Sequence, residues 1–151
     1  MGIFSSINIA ATGLTVERLR SDVIADNIAN AQTTRTQEGG AFRRKRVILS
    51  TADPKPIFRN PFVPQDLDNG PGHGVRVMEI VKDDAPGRLV WDPTHPDAVQ
   101  SGPQEGYVEY PNVSIVNEMT DLIAANRAYE ANSAVIQGAR DMFSSALEIG
   151  R

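Results

Sequence analysis

An α+β fold is what this sequence predicts, with long N- and C-terminal helices packed as a coiled-coil-like pair and a small β-rich, Pro/Gly-rich segment between them. Three observations predict it. All ten prolines and eight of the twelve glycines fall between residues 36 and 112, leaving both ends free of proline. Both ends carry apolar residues at seven-residue spacing. The middle sets short runs of valine, isoleucine and tyrosine between turn residues. The expected division is therefore residues 1–35 for the N-terminal helix, 36–112 for the β-rich segment and 113–151 for the C-terminal helix.

The C-terminal helix carries the stronger pattern. After Pro111 there is no breaker until Gly138, and Ile115, Leu122, Tyr129, Ile136 and Phe143 recur every seven residues, extended by Met119 and Leu147. At about 100° of rotation per residue they form one large apolar stripe. Ala124, Ala128, Ala131, Val135, Met142 and Ala146 fall roughly opposite, and Arg127, Glu130, Asp141 and Glu148 share the narrow arc left over. A helix of about 35 residues is about 50 Å long, more than a compact domain of 151 residues buries. Such a helix needs neighbours on two sides.

The N-terminal helix, expected over residues 3–32, is the first of these neighbours. Ile7, Leu14 and Ile28 form one heptad column and Ile9, Val16 and Val23 another, with Arg18, Asp22 and Asp26 as the one clearly charged line. Gly13 weakens it by about 1 kcal/mol relative to alanine. One partner helix cannot cover both faces of both helices, so the remaining apolar surface calls for other subunits.

In the middle, residues 37–41 read as a turn and Val47–Ser50 as a strand entered through the basic run Arg43–Arg46. Five prolines and three glycines between residues 53 and 74 read as an extended connection. Alternation from Val75 to Val81 predicts a strand, with a turn at Asp84–Gly87 and a return strand at Arg88–Trp91 that pairs with it as a hairpin. Tyr107–Tyr110 reads as a last short strand before Pro111 opens the helix.

Several function classes are excluded on these grounds. The formal charge of -4 divides as 0, -2 and -2 over the three segments, so no segment attracts nucleic acid or an anionic membrane. There is no cysteine, hence no disulfide or thiolate chemistry. No run approaches the roughly 20 apolar residues that cross a bilayer, and the N-terminus lacks the basic and apolar regions of a cleaved signal. By residues alone the protein reads as soluble and cytoplasmic. Asp92, His95 and Asp97 are the residue types of a metal or acid/base site, but between two prolines in a turn they hold the backbone instead. P-loops, serine-nucleophile motifs and dinucleotide fingerprints are absent. The expectation is no enzyme, no metal, no cofactor and no small-molecule substrate.

Asn27, Ile28, Ala29 and Asn30 followed by Thr33 resemble the signature that ends the first helix of the flagellar axial proteins, the family of rod and hook subunits. Within that family the likeness is closest to proximal-rod subunits. Thr33–Thr36, Gly39, Gly40, Arg43 and Arg44 resemble their first connection. His95–Ala98, Gly106–Val108 and Tyr110–Val113 are similar to the approach to their last helix, and Glu118, Met119, Asn126–Asn132 and Leu147–Gly150 to that helix itself. The stretch Val99–Glu105 is longer than the family pattern.

The resemblance implies a structural subunit of the flagellar basal-body rod, whose terminal helices form the axial core of a helical tube that transmits torque, with the middle segment outside. It implies partners among other rod subunits and copies of itself, export through the flagellar type III apparatus without a cleaved signal, and residence in the rod within the periplasmic space. The subunit interface is expected at Ile7, Leu14, Val16, Val23, Asn27, Ile28, Asn30, Ile115, Met119, Leu122, Asn126, Tyr129, Ile136, Phe143 and Leu147. Asn126, Asn132 and Ser133 are expected to set its register. A cytoplasmic coiled-coil adaptor with a small β-rich recognition domain is the other reading of the same helices. It would not need the family's motifs.

Overall fold

The two proline-free ends form α1, Ile3–Ala29, and α2, Ile115–Ile149, in the computed structural model, which describes residues 3–52 and 72–149. Helix α1 stops short of the expected residue 32. The Asn30 amide turns back to the Asp26 carbonyl and carboxylate at 2.9 and 3.0 Å, and its oxygen accepts the Thr33 hydroxyl at 3.2 Å. Side chains that offer such local bonds compete with the helical ladder. Helix α2 begins after Ser114, whose carbonyl accepts the Glu118 N–H at 2.9 Å. Upstream, Asn112 is committed to the carbonyls of Asp83 and Ala85 at 3.3 and 3.1 Å.

The helices lie antiparallel. Asn27 meets Glu118, Gly13 meets Asn132, and Phe4 meets Phe143 with ring centroids 6.2 Å apart. The α2 residues buried along this seam are Glu118, Ala125 and Ala139, with Asn132 half-buried in the same heptad column. Helix α1 contributes Ala10 and Gly13 among others. On α2 the seam thus combines Ala125 and Ala139 with Glu118 and Asn132, and it runs between the two apolar stripes, leaving Leu122 and Ile136 half-buried and most of the other stripe residues exposed. A methyl at Gly13 would lie 2.8 Å from the Asn132 amide nitrogen, and that amide is already tied to the Ala128 carbonyl at 2.9 Å.

Two opposing effects follow for Gly13→Ala. Helix propensity favours it by about 1 kcal/mol, while overpacking opposes it by about 1–3 kcal/mol. The expected result is a net loss in urea unfolding. In an Asn132→Ala background the same change is expected to stabilise, because only the propensity gain remains. Gain in both backgrounds would show that the helices are not held at this separation.

Four strands form the middle: β1, Lys45–Thr51, β2, Val75–Lys82, β3, Arg88–Trp91, and β4, Tyr107–Tyr110. Their positions agree with the alternation in the sequence, but the expected hairpin of β2 with β3 does not form. Instead β1 pairs antiparallel with β2, and β3 with β4. The connection after β2 is held open: the Asp83 N–H continues the first sheet to the Arg44 carbonyl at 2.7 Å, and Arg43 and Asn112 both donate to the Ala85 carbonyl. Pairing partners so distant in sequence cannot be read from alternation, which reports only which face is buried. Between Ile48 and Leu49 the β1–β2 register shifts, leaving Met78 as the extra, exposed residue of a bulge.

The first sheet lies against α1, where the Thr12 hydroxyl oxygen accepts the Val75 N–H at 3.2 Å. The buried residues gather at the junction of sheet and helices: Val16, Val23 and Ile24 of α1, Ala41 and Phe42 of the first connection, and Val108 of β4. The proline-rich connection expected over residues 53–74 lies, through residue 71, outside the described residues.

Candidate assembly interface

Where α1 ends, β1 begins and α2 starts, a polar clamp joins all three. Asn27, 1% exposed, treats Lys45 as a strand would: its oxygen accepts the Lys45 N–H and its amide donates to the Lys45 carbonyl, both at 2.9 Å. The same amide donates to Glu118 at 3.0 Å. Glu118, fully buried, receives the Arg44 Nε at 2.6 Å on its other oxygen. Arg44 also reaches Asp121, one turn along α2, at 3.2 Å, and its backbone N–H donates to Asn112 at 2.8 Å. Lys45 bonds Asp26 at 2.9 Å. The carboxylate of Glu118 sits in the first turn of α2, where the helix dipole favours negative charge.

Beyond the clamp the helix pair is largely uncovered. Of the expected interface residues, Ile115, Met119, Tyr129, Phe143, Leu147 and the polar Asn126 are exposed, Leu147 by 60%. Ile7, Leu14, Ile28, Asn30, Leu122 and Ile136 are half-buried. Val16, Val23 and Asn27 are buried within the chain, so intramolecular packing and the clamp already occupy their side chains. On the opposite side of α2, Val135 and Met142 are also exposed. A groove at the open end of the pair is lined by Phe4, Ile7, Phe143 and Leu147.

Asn27, expected at the subunit interface, is instead buried in the clamp, and the seam of α2 has no large apolar residue to mark it in the sequence. The seam does carry a signal, since Glu118, Ala125, Asn132 and Ala139 recur every seven residues as regularly as the large stripe. Small side chains score weakly as an apolar column, although they permit the closest approach of two helices. Arg44 was marked only by the basic strand entry and the motif of the first connection and Asp121 by nothing local, because only the fold brings the two together.

The turn from Asp92 to Asp97 holds itself together. Asp92 accepts the Thr94 hydroxyl at 2.7 Å and the Thr94 N–H at 3.1 Å, which keep its carboxyl below the usual carboxylate range, the hydroxyl contributing most. His95 Nδ1 accepts the Asp97 N–H at 3.1 Å, and Asp97 accepts the Thr34 hydroxyl at 2.8 Å. These bonds tie down the loop and link it to the first connection.

Comparison with known proteins bears on both ends and on the whole length. The family described as "Flagella basal body rod protein" matches residues 7–37, and that described as "Flagellar basal body rod FlgEFG protein C-terminal" matches residues 104–149. The chain is 56% identical over 149 residues to the flagellar basal-body rod protein FlgC of Borreliella burgdorferi, covering 99% of this chain and 98% of that one. It is 40% identical to FlgC of Bacillus subtilis over 156 aligned residues and 30% identical to FlgC of Escherichia coli O6:H1 over 154, with both chains covered completely in each case. An exposed helix pair on a clamped base, with relatives of this identity along the entire length, places the chain in the FlgC family of flagellar basal-body rod proteins: a structural protein of the bacterial flagellum, not an enzyme, that assembles with other rod subunits in the basal body.

Proposed function

We propose that the chain builds a helical axial tube through the uncovered faces of α1 and α2, with the strands outside, and that this tube transmits torque as part of the proximal rod. The observation that carries the reading is the exposed apolar surface along α2, from Ile115 and Met119 through Tyr129 to Phe143 and Leu147. Large apolar groups contribute about 1.5–3 kcal/mol each when fully buried, and one molecule leaves these partly in water. Heterologous contact between such faces extends along an axis instead of closing as a dimer. The subunit leaves the cell unfolded through the flagellar type III apparatus, without a cleaved signal, and takes its place in the periplasmic rod. A chain without cysteine brings no disulfide to that passage.

Leu147→Asp tests the wall. Because Leu147 is 60% exposed, urea unfolding of the purified chain is expected to change by no more than about 0.5 kcal/mol. Basal bodies isolated from a host relying on the variant are expected to lack it, with swimming lost. Normal incorporation and swimming would overturn the proposal.

A further inference from the structure

Seven charges on the helix pair make no hydrogen bond or ion pair among the described residues; four of them, Arg18 and Asp22 on α1 and Arg127 and Glu130 on α2, lie along the middle of the pair, and the others are Arg140, Asp141 and Glu148 near the end of α2. The middle four are all exposed. This contrasts with Arg20, Arg35, Arg43, Arg44, Lys45 and Lys82, each of which has a carboxylate within reach. On α2, Arg127 and Glu130 straddle the side opposite the seam, each about 150° around the helix from the column of Glu118, Ala125, Asn132 and Ala139. They are placed to meet another molecule, not their own α1.

We propose that a second copy of this chain is the partner: the Arg18–Asp22 line of one copy pairs with the Glu130–Arg127 line of the next. The inference rests on the assembly proposed above and names the ionic register within it. Both lines run positive then negative from N- to C-terminus. Placed antiparallel, Arg18 faces Glu130 and Asp22 faces Arg127; placed parallel, like charges would oppose. Copies stacked the same way up along an axis near the helices present α1 of one to α2 of the next in the antiparallel sense, because the two helices are antiparallel within each chain. The spacing also fits: Arg18 and Asp22 are about 6 Å apart along the axis and Arg127 and Glu130 about 4.5 Å, a difference that flexible side chains absorb.

The flanking residues agree with this register. With Arg18 against Glu130, Leu14 falls against Ala134 and Ala25 against Ile123, a large residue facing a small one at each end. Ile123 is half exposed in the single chain, and Ala25 and Ala134 are exposed. Exposed ion pairs add little affinity by themselves. Their role is to select orientation and register on a face whose apolar contacts would tolerate several.

The absence of cysteine makes the test clean. Arg18→Cys/Glu130→Cys chains are incorporated into basal bodies of a host lacking its own copy of the gene, oxidised in the intact particle, and separated under denaturing conditions. The expected result is a ladder of covalent multimers, because each copy links one neighbour through residue 18 and the other through residue 130. Neither single variant is expected to form dimers. An incorporated double variant that stays monomeric overturns the pairing and leaves the wall standing. A dimer from either single variant overturns it in favour of like helices facing each other. Failure of the wall itself would show elsewhere, as normal incorporation of Leu147→Asp. If the cysteine chains do not enter the particle, charge exchange decides: Arg18→Glu loses swimming and Arg18→Glu/Glu130→Arg recovers it, whereas a double variant no better than the single refutes the register.

Discussion

Glu118→Ala is expected to destabilise the folded chain by about 3–5 kcal/mol, the range for removing one member of a buried charge pair. That is a large share of the roughly 5–15 kcal/mol that holds a domain together, and it corresponds to a melting temperature lower by roughly 10 °C. The reason lies in what Glu118 leaves behind. Its two partners, the Asn27 amide and the Arg44 guanidinium, are both donors. Arg44 keeps Asp121 and is about one-quarter exposed, so the lower part of the range is the better expectation. Glu118→Gln should not rescue, since its own amide must then face one of those donors.

Asn27→Ala takes away the other half of the arrangement, stranding the N–H and carbonyl of Lys45. It is expected to lose about 1–3 kcal/mol. The double variant should lose less than the sum, because both changes break the same bond. Urea unfolding of the four chains measures this directly. A loss below about 1 kcal/mol for Glu118→Ala, or strict additivity, would show that helix packing alone joins the two ends.

The second large effect is expected at Gly106→Ala, through two separate causes. Gly106 has φ of +79°, where an L-residue costs about 1–2 kcal/mol. Its added methyl would also lie 2.5 Å from the Trp91 ring, and overpacking of that kind costs about 1–3 kcal/mol. The sum is a loss of about 2–5 kcal/mol, with the lower part the better expectation because Trp91 is exposed and its ring can shift. Trp91 reports on it, being the only tryptophan and standing edge-on to Tyr107 at 5.1 Å. The near-ultraviolet dichroism of that pair is expected to weaken together with stability. Gly39→Ala separates the causes, since Gly39 has φ of +90° and open space where the methyl would go. It should lose only the backbone portion, and equal losses at both positions would discount the contact with Trp91.

The two helices were legible because their periodicity and freedom from proline are local properties of the chain. The strands were legible from equally local signals, and Arg88–Trp91 and Tyr107–Tyr110 fall where the turn residues and Pro111 beside them placed them. Their pairing was not legible. Whether β2 joins β3 or β1 depends on bonds from Arg43, Asn112 and the Arg44 carbonyl, which come from residues far away in the sequence. Asn27 shows the same division. Its place in the helix-ending motif identified it, yet its role as the amide joining Lys45 to Glu118 appears only when residues 27, 45 and 118 are brought together.

By itself, then, the sequence determined that two long helices with more apolar surface than one molecule can bury would flank a β-rich middle, and its motifs indicated the rod family. Tertiary structure alone decided which line of each helix faces inward. Small side chains at Ala10, Gly13, Ala125 and Ala139 allow the backbones to approach, and buried Glu118 must lie beside Asn27 and Arg44 to keep its hydrogen bonds. Those two demands turn the large stripe of α2 toward solvent, because a helix has one line of closest approach and here close packing and the buried charge claim the same one.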